Sequence, residues 1–216
     1  MSASARAFVI SEDTPIPARR AIEEAVEFLA SIKPGASPES PFHRRFFGAV
    51  DGNDYIQYLD GGAKEIFYFD NPYRDASALA GQYSPESLYI APSFLKVDVV
   101  RRASVLLHET YHLRSLVMKQ NRPEHVACPI PFLDGEGRDI ISVINGKKLA
   151  GSLSCDRGGE DAYGRDYVFF MNLALSSSCS QEEKSQALSW AEKSIARILD
   201  EEARAILRED VRPPSN

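Results

Sequence analysis

Two of the chain's four histidines stand four residues apart, and a glutamate directly follows the first: His108, Glu109 and His112. On an α-helix, residues i and i+4 lie one above the other, so both imidazoles can bind one ion. Glu109 is turned by about 100° from His108 and can reach a metal-bound water without ligating the metal. This arrangement is typical of zinc peptidases, in which the ion activates a water and the glutamate takes its proton.

The motif lies within a long apolar pattern that predicts a helix from Phe94 or Lys96 to about Lys119. The residues around the histidines are mostly uncharged, as a buried metal-bearing helix requires, and Arg114 is the exception. Pro123 ends the pattern. The alternative is that both histidines are ordinary, partly buried residues and that Glu109 is a solvated helix charge.

A third protein ligand would complete the zinc site. The metzincin pattern is excluded, because Ser115 and Met118 occupy the positions of its glycine and third histidine. His125 lies close to the proline that ends the helix. Glu160, at the predicted start of a later helix, is the better candidate.

The residues from Glu160 to Gly164 resemble the second motif of the aspzincins, the deuterolysin-like and lysine-specific metalloendopeptidases, which reads Gly-Thr-x-Asp-x-x-Tyr-Gly. Matching the final Tyr-Gly pair to Tyr163 and Gly164 puts Glu160 at the ligand position. Two further stretches resemble that family, the aromatic segment Phe42–Gly48 and the strand-like segment Leu88–Phe94.

The resemblance implies an α+β, zincin-like fold, mainly helical, with a small sheet beside the motif helix. It also implies zinc held by His108, His112 and Glu160, with Tyr163 hydrogen-bonding the oxyanion. The sequence departs from the family in having glutamate for the aspartate ligand and 47 residues (113–159) before it. Asp161 is therefore the alternative third ligand. Without a metal role, Glu160 would be a helix-terminal charge and Tyr163 a core aromatic.

The composition bounds the class of protein. The chain has 216 residues, of which 44% are hydrophobic and 26% charged, and we predict a single metallopeptidase domain over 1–216. A net charge of -6 and a pI of about 5.3 argue against nucleic acid or an anionic membrane as partner. A protein or peptide is the expected substrate, and the oligomeric state is left open.

The cysteines and the N-terminus bear on localisation. The three cysteines, Cys128, Cys155 and Cys179, are odd in number and widely spaced, so we expect free thiols over one disulfide plus a spare. No signal peptide is visible, which predicts a cytoplasmic protein or one secreted without such a peptide.

The remaining elements follow from periodicity and turn residues. We predict a lead-in over 1–17, an insertion over the active-site cleft at 114–157 and a flexible tail at 209–216. The other predictions are a helix over Ala18–Ile32, a short helix over Phe42–Phe47, a turn next to a helix or strand within Asp51–Gly62, strands at Glu65–Phe69 and Ser87–Ala91, an irregular or briefly helical link over Tyr73–Tyr83, a hairpin at Asn145–Gly146, a helix over Glu160–Leu175 and a last helix from Ser180 through Leu207.

The His-Glu-x-x-His motif predicts a zinc-dependent endopeptidase in which Glu109 is the general base, and the resemblance implies that Tyr163 stabilises the oxyanion. A bacterial effector or toxin-type protease would fit the expected localisation. Two alternatives remain open at this point. One is an inactive zincin-like binding or adaptor protein, and the other is a thermolysin-type gluzincin with glutamate as its third ligand.

Overall fold

A computed structural model describes residues 8–32, 41–48, 54–70, 78–80, 86–117, 125–142 and 145–211. The chain divides into two compact units, and the single domain expected over 1–216 stays a prediction. The first comprises Met1–Ser31 and Asp51–Arg122, and the second Ile32–Val50 and Pro123–Asn216. Both helices and small sheets are present, so the α+β class is confirmed.

Each unit draws its helices and strands from two separate parts of the chain. The first unit contains β1 (Val9–Ile10), α1 (Ile16–Ser31), α3 (Asp54–Asp60), β2 (Glu65–Tyr68), β3 (Ala78–Ala80), β4 (Ser87–Ile90), a 3-10 helix (Pro92–Lys96) and α4 (Val99–Val117). The second contains α2 (Pro41–Phe47), β5 (Val126–Ala127), β6 (Leu153–Cys155), α5 (Ala162–Leu175), α6 (Gln181–Ile195) and α7 (Glu201–Asp210).

The first unit is built on a four-stranded sheet in the order β1-β2-β4-β3. The first three strands in this order are parallel, and β3 pairs antiparallel with β4. All four residues of β4 are buried, as expected for a parallel strand near the centre of a sheet. The two predicted strands are confirmed. The strand β3 lies where the sequence predicts an irregular link, because three residues are too few to show an alternating pattern.

Helix α4, which carries the His-Glu-x-x-His motif, packs against α1, α3, β3 and β4. The predicted sheet beside the motif helix is therefore present within this unit. The helix begins later than predicted, at Val99, because the Asp98 carboxylate accepts a hydrogen bond from the Arg101 amide at 2.8 Å and so caps it. The segment from Pro92 to Lys96 forms the separate 3-10 helix.

Close packing at Gly62 holds the motif helix against the end of α3. A Cβ atom at Gly62 would lie 2.5 Å from the Cγ2 of Thr110, inside the motif, so only glycine permits this approach. Arg114 is also accommodated here. Its guanidinium lies 4.7 Å from the centroid of the Tyr58 ring and donates to the Tyr58 carbonyl, so the charge is paired within a partly buried setting.

The second unit is organised around α5 and α6, which pack along each other. The predicted capping box of α6 is confirmed, since the Ser180 hydroxyl accepts from the Glu183 amide and the Glu183 carboxylate accepts from the Ser180 amide. The predicted single last helix is wrong. It is interrupted between α6 and α7, where Asp156 pairs with residues 197–199, and Asp200 then caps α7.

A disulfide joins Cys128 to Cys155, next to the β5–β6 pair, with the Cα atoms 5.2 Å apart. The expectation of three free thiols is therefore wrong. A separation of 27 residues carries no local pattern that could have indicated the pair. Cys179 remains a free, buried thiol, and burial raises its pKa.

The structure confirms or corrects several smaller predictions. A tight turn at Asn145–Gly146 is present, flanked by an antiparallel bridge between Ile141 and Lys148, and Gly146 has a φ of 71°. The turn predicted within Asp51–Gly62 lies at Gly61 and Gly62, directly after α3. The tail begins later than residue 209, because α7 runs to Asp210 and Val211 is buried, while 212–216 lie outside the described residues. Among the described helices, none has the length and apolar character needed to cross a membrane.

Candidate metal centre

His108 and His112 lie one turn apart on α4. Their ring centroids are 5.1 Å apart, and the planes are inclined by 65°. His108 is only 6% exposed, His112 is partly buried, and the ring of Tyr111 lies 5.7 Å from that of His112. Glu109 is also partly buried. The helix thus presents the two imidazoles side by side, as the spacing predicts.

His125, in the second unit, is held by a buried carboxylate. Its Nδ1 lies 2.7 Å from Oδ1 of Asp156, whose side chain is only 4% exposed. An ionised carboxylate can only accept hydrogen bonds, so this contact favours the tautomer with hydrogen on Nδ1. The ring nitrogen left for a metal is then Nε2, as in metal sites where a carboxylate orients a histidine ligand.

Tyr163 completes the cluster around Asp156. Its amide donates to Oδ2 of Asp156 at 2.7 Å, and its ring stacks on that of His125 with centroids 5.1 Å apart. Arg197 donates a hydrogen bond to the Tyr163 hydroxyl, and its guanidinium lies 4.8 Å from the ring centroid. Tyr163 is therefore buried and held at its backbone, ring and hydroxyl.

The fold brings this cluster together from four separate segments. The β5–β6 pairing matches Val126 with Cys155, which places the neighbouring residues His125 and Asp156 side by side. Tyr163 is the second residue of α5, and its amide is one of the four that a helix leaves without an internal acceptor. The Asp156 carboxylate fills that role and is favoured by the helix dipole.

Two local features complete the arrangement. The loop before α5 passes very close to the first turn of the helix. A Cβ at Gly164 would lie 1.8 Å from the Gly159 carbonyl oxygen, so glycine is required there. The interruption between α6 and α7 brings the Arg197 backbone to Asp156, whose amide donates to the Arg197 carbonyl at 2.9 Å. The same interruption gives Arg197 its contact with Tyr163.

Three histidines could hold a metal ion: His108, His112 and His125. Each offers one ring nitrogen as a ligand atom. Three neutral imidazoles are a donor set that catalytic zinc accepts, leaving a fourth position for water. The donor chemistry therefore fits a catalytic zinc ion, and the hydrogen bond from His125 to Asp156 supplies the outer support that such ligands usually have.

The two acidic residues predicted as third ligands lie in other surroundings. The Glu160 side chain is 56% exposed, and its carboxylate forms an ion pair with Arg45 at 2.6 Å. Asp161 is the residue before α5, and its Oδ2 accepts from the Gly158 amide at 3.2 Å. Among the described residues, neither belongs to the group that could hold a metal ion.

His125 is the residue that the sequence does not single out as a ligand. Its position close to the helix-ending proline argues against it, whereas the β5–β6 pairing allows the chain to turn back at that point. A usable signal is the scarcity of histidine, since only two of the four lie outside the motif.

The fourth histidine, His43, has a different environment. It is 3% exposed on α2 and lies against Phe47, with ring centroids 5.4 Å apart. Burial lowers the pKa of His43 to about 4, and the negative charge of Asp210 opposes that shift only in part. His43 is therefore neutral near pH 7, and it is not a member of the three-histidine group.

No protein-family model, no curated protein and no solved structure matches this chain. The residues and their geometry alone therefore carry the functional assignment.

Proposed function

We propose that the protein is a zinc-dependent endopeptidase with a zincin-like fold, in which His108, His112 and His125 hold the ion. The observation that carries the proposal is the His108 and His112 pair on α4, with Glu109 between them. The histidine group that could hold a metal supports it. The donor set favours His125 over Glu160 as third ligand, because Glu160 is paired with Arg45 at an exposed position.

When bound, zinc would polarise the scissile carbonyl and make water nucleophilic near neutral pH. Glu109 takes the proton of the attacking water and returns it to the leaving amine, which is the work of a general base and then a general acid. The hydroxyl of Tyr163, which accepts a hydrogen bond from Arg197, is the donor to the oxyanion in this proposal. Asp156 orients the His125 ring through its contact with Nδ1.

The proposal keeps the resemblance to aspzincins but changes the third metal ligand. The motif helix, the adjacent sheet and the Tyr163-Gly164 pair support it, whereas the third ligand becomes a histidine that precedes the tyrosine by 38 residues (125 to 163). The substrate in this proposal is a protein or peptide. A role as an effector or toxin-type protease stays a prediction, tested by whether the enzyme cleaves a protein of a host cytosol.

The test compares the wild type with Glu109→Gln for zinc content and for cleavage of casein and a peptide library. Glu86→Gln is the control, because Glu86 is a carboxylate of the same unit paired with Lys64 at 2.6 Å. We expect about one zinc per chain in all three proteins. Cleavage by Glu109→Gln should fall by roughly 10²–10⁴-fold, the usual contribution of a general base.

Other outcomes separate the alternatives. Zinc without cleavage in the wild type would favour the binding or adaptor protein. A wild type that takes up no zinc would overturn the metal site, and full activity in Glu109→Gln would remove Glu109 from the mechanism.

A further inference from the structure

In the second unit, two hydrogen-bonding contacts converge on one buried carboxylate, that of Asp156. One oxygen lies 2.7 Å from Nδ1 of His125, and the other accepts the Tyr163 amide at 2.7 Å. The backbone of Asp156 is fixed as well, since its amide donates to the Arg197 carbonyl and its carbonyl accepts from the Leu199 amide, both at 2.9 Å. Asp156 therefore contacts four residues from three other segments of the second unit.

We infer that Asp156 is a positioning residue that fixes His125 in the tautomer with hydrogen on Nδ1 and holds Tyr163 in register with it. This inference rests on the proposed function for its consequence, zinc binding by Nε2 of His125. The tautomer itself is a property of the second unit and does not require the metal.

Burial makes the Asp156 carboxylate dependent on its hydrogen-bond donors. Asp156 is 4% exposed, and a buried carboxylate is costly unless its oxygens are hydrogen-bonded. Both oxygens have short contacts to nitrogens, which an ionised carboxylate satisfies as a double acceptor. Rotation of the His125 ring, or a shift of its proton to Nε2, would leave one of these oxygens without its donor.

The two contacts also couple His125 to Tyr163. Because one rigid carboxylate binds the imidazole through Oδ1 and the start of α5 through Oδ2, the stacked rings of His125 and Tyr163 keep a fixed relation. A displacement of either residue would be transmitted to the other. Asp156 thus places a proposed metal ligand and the proposed oxyanion donor with a single side chain.

The first experiment measures the tautomer of His125 in the wild-type chain. We would record two-bond nitrogen–proton correlations of the full chain, labelled with ¹⁵N-histidine and freed of metal by a chelator, at a pH where imidazoles are neutral. His125 is assigned from the signal lost in His125→Gln. Hydrogen on Nδ1 in the wild type is the expected result, and hydrogen on Nε2 would overturn the inference whether or not the protein binds zinc.

The second experiment uses Asp156→Asn, with Asp200→Asn as the matched control. Asparagine keeps the size of the side chain but replaces one acceptor oxygen with a donor, whereas an asparagine in place of Asp200 would cap α7 equally well. We expect His125 to lose its single tautomer in Asp156→Asn only. Zinc affinity, measured by competition with a chromogenic chelator, should fall by about 10–100-fold.

The outcomes can be told apart. If Asp156→Asn keeps both the wild-type tautomer and the wild-type zinc affinity, the positioning role is overturned. If the wild type shows hydrogen on Nδ1 but takes up no zinc, the proposed function fails and the tautomer assignment stands. Should Asp156→Asn fail to fold, the wild-type spectrum still decides the inference.

Discussion

The two units orient their histidines by different means. In the first, His108 and His112 lie on one helix, and their relation is set by the pitch of α4. In the second, His125 is oriented by Asp156, stacked on Tyr163 and linked through it to Arg197, residues that span 73 positions of the chain (125 to 197). The histidine pair on α4 can therefore be predicted from its spacing in the sequence. The surroundings of His125 depend instead on strand pairing and on the interruption between α6 and α7.

The largest expected effect separates the two candidates for third ligand. In His125→Gln the new amide can still donate to Asp156, so the second unit should stay folded, but the zinc-binding nitrogen is lost. We expect zinc affinity to fall by more than the roughly 10–100-fold typical of losing a partner that only orients a ligand. Elemental analysis and chelator competition measure this.

Glu160→Gln is the matched variant. It removes only an exposed ion pair with Arg45, which is worth about 0–1 kcal/mol. Its zinc content should equal that of the wild type. The reverse result, with zinc lost in Glu160→Gln and kept in His125→Gln, would restore Glu160 as the ligand.

The next effect tests whether the second unit contributes to catalysis as well as to metal binding. Tyr163→Phe removes the hydroxyl that accepts from Arg197 and leaves the ring stacked on His125. We expect kcat to fall by about 10²–10³-fold, as for loss of one oxyanion donor, with zinc content unchanged. Tyr167→Phe, one turn later on α5, is the control. Equal kcat values for the two variants would remove Tyr163 from the oxyanion site.

A smaller effect contrasts the stability of the two units. The disulfide closes a loop of 27 residues in the second unit, so replacing Cys128 and Cys155 by serine should lower its free energy of unfolding by about 3.5 kcal/mol. Hydrogen exchange should show the loss in residues 125–211 and spare α4. Cys179→Ser keeps the bridge and serves as control. Three reactive thiols in the denatured, unreduced wild type would contradict the disulfide.

The smallest effect concerns His43, the histidine of the second unit that lies outside the metal-binding group. Burial lowers its pKa to about 4, below the value of about 6.5 for an exposed histidine. The unfolded chain therefore binds a proton that the folded chain rejects. The contribution of His43 to the free energy of unfolding is fully present above pH ~6.5. It is lost as the pH falls through the folded pKa near 4, by about 3 kcal/mol in all.

The free energy of unfolding, measured from pH 7 to pH 4 in the wild type and in His43→Gln, tests this prediction. The variant should be the less sensitive to acid over that range, because glutamine does not titrate. Identical slopes in the two proteins would show that folding leaves the pKa of His43 unchanged and would contradict the prediction.

Local physics explains which elements the sequence could predict. The helical register of the motif, the strands β2 and β4 and the Ser180 capping box depend on residues a few positions apart, and each is present in the structure. The sequence does not predict the short strand β3 or the interruption between α6 and α7. Both depend on pairing with distant backbone, at β4 and at Asp156 respectively.

The sequence by itself determined that two imidazoles and a carboxylate share one helix, because the α-helix repeats every 3.6 residues whatever surrounds it. Only the tertiary structure decided that His125 has a buried carboxylate behind it and that Glu160 is paired with Arg45. The reason is that hydrogen bonds between residues 31 positions apart, such as His125 and Asp156, depend on how strands pair and where a helix stops. Neither the pairing of strands nor the end of a helix produces a periodic pattern in the sequence.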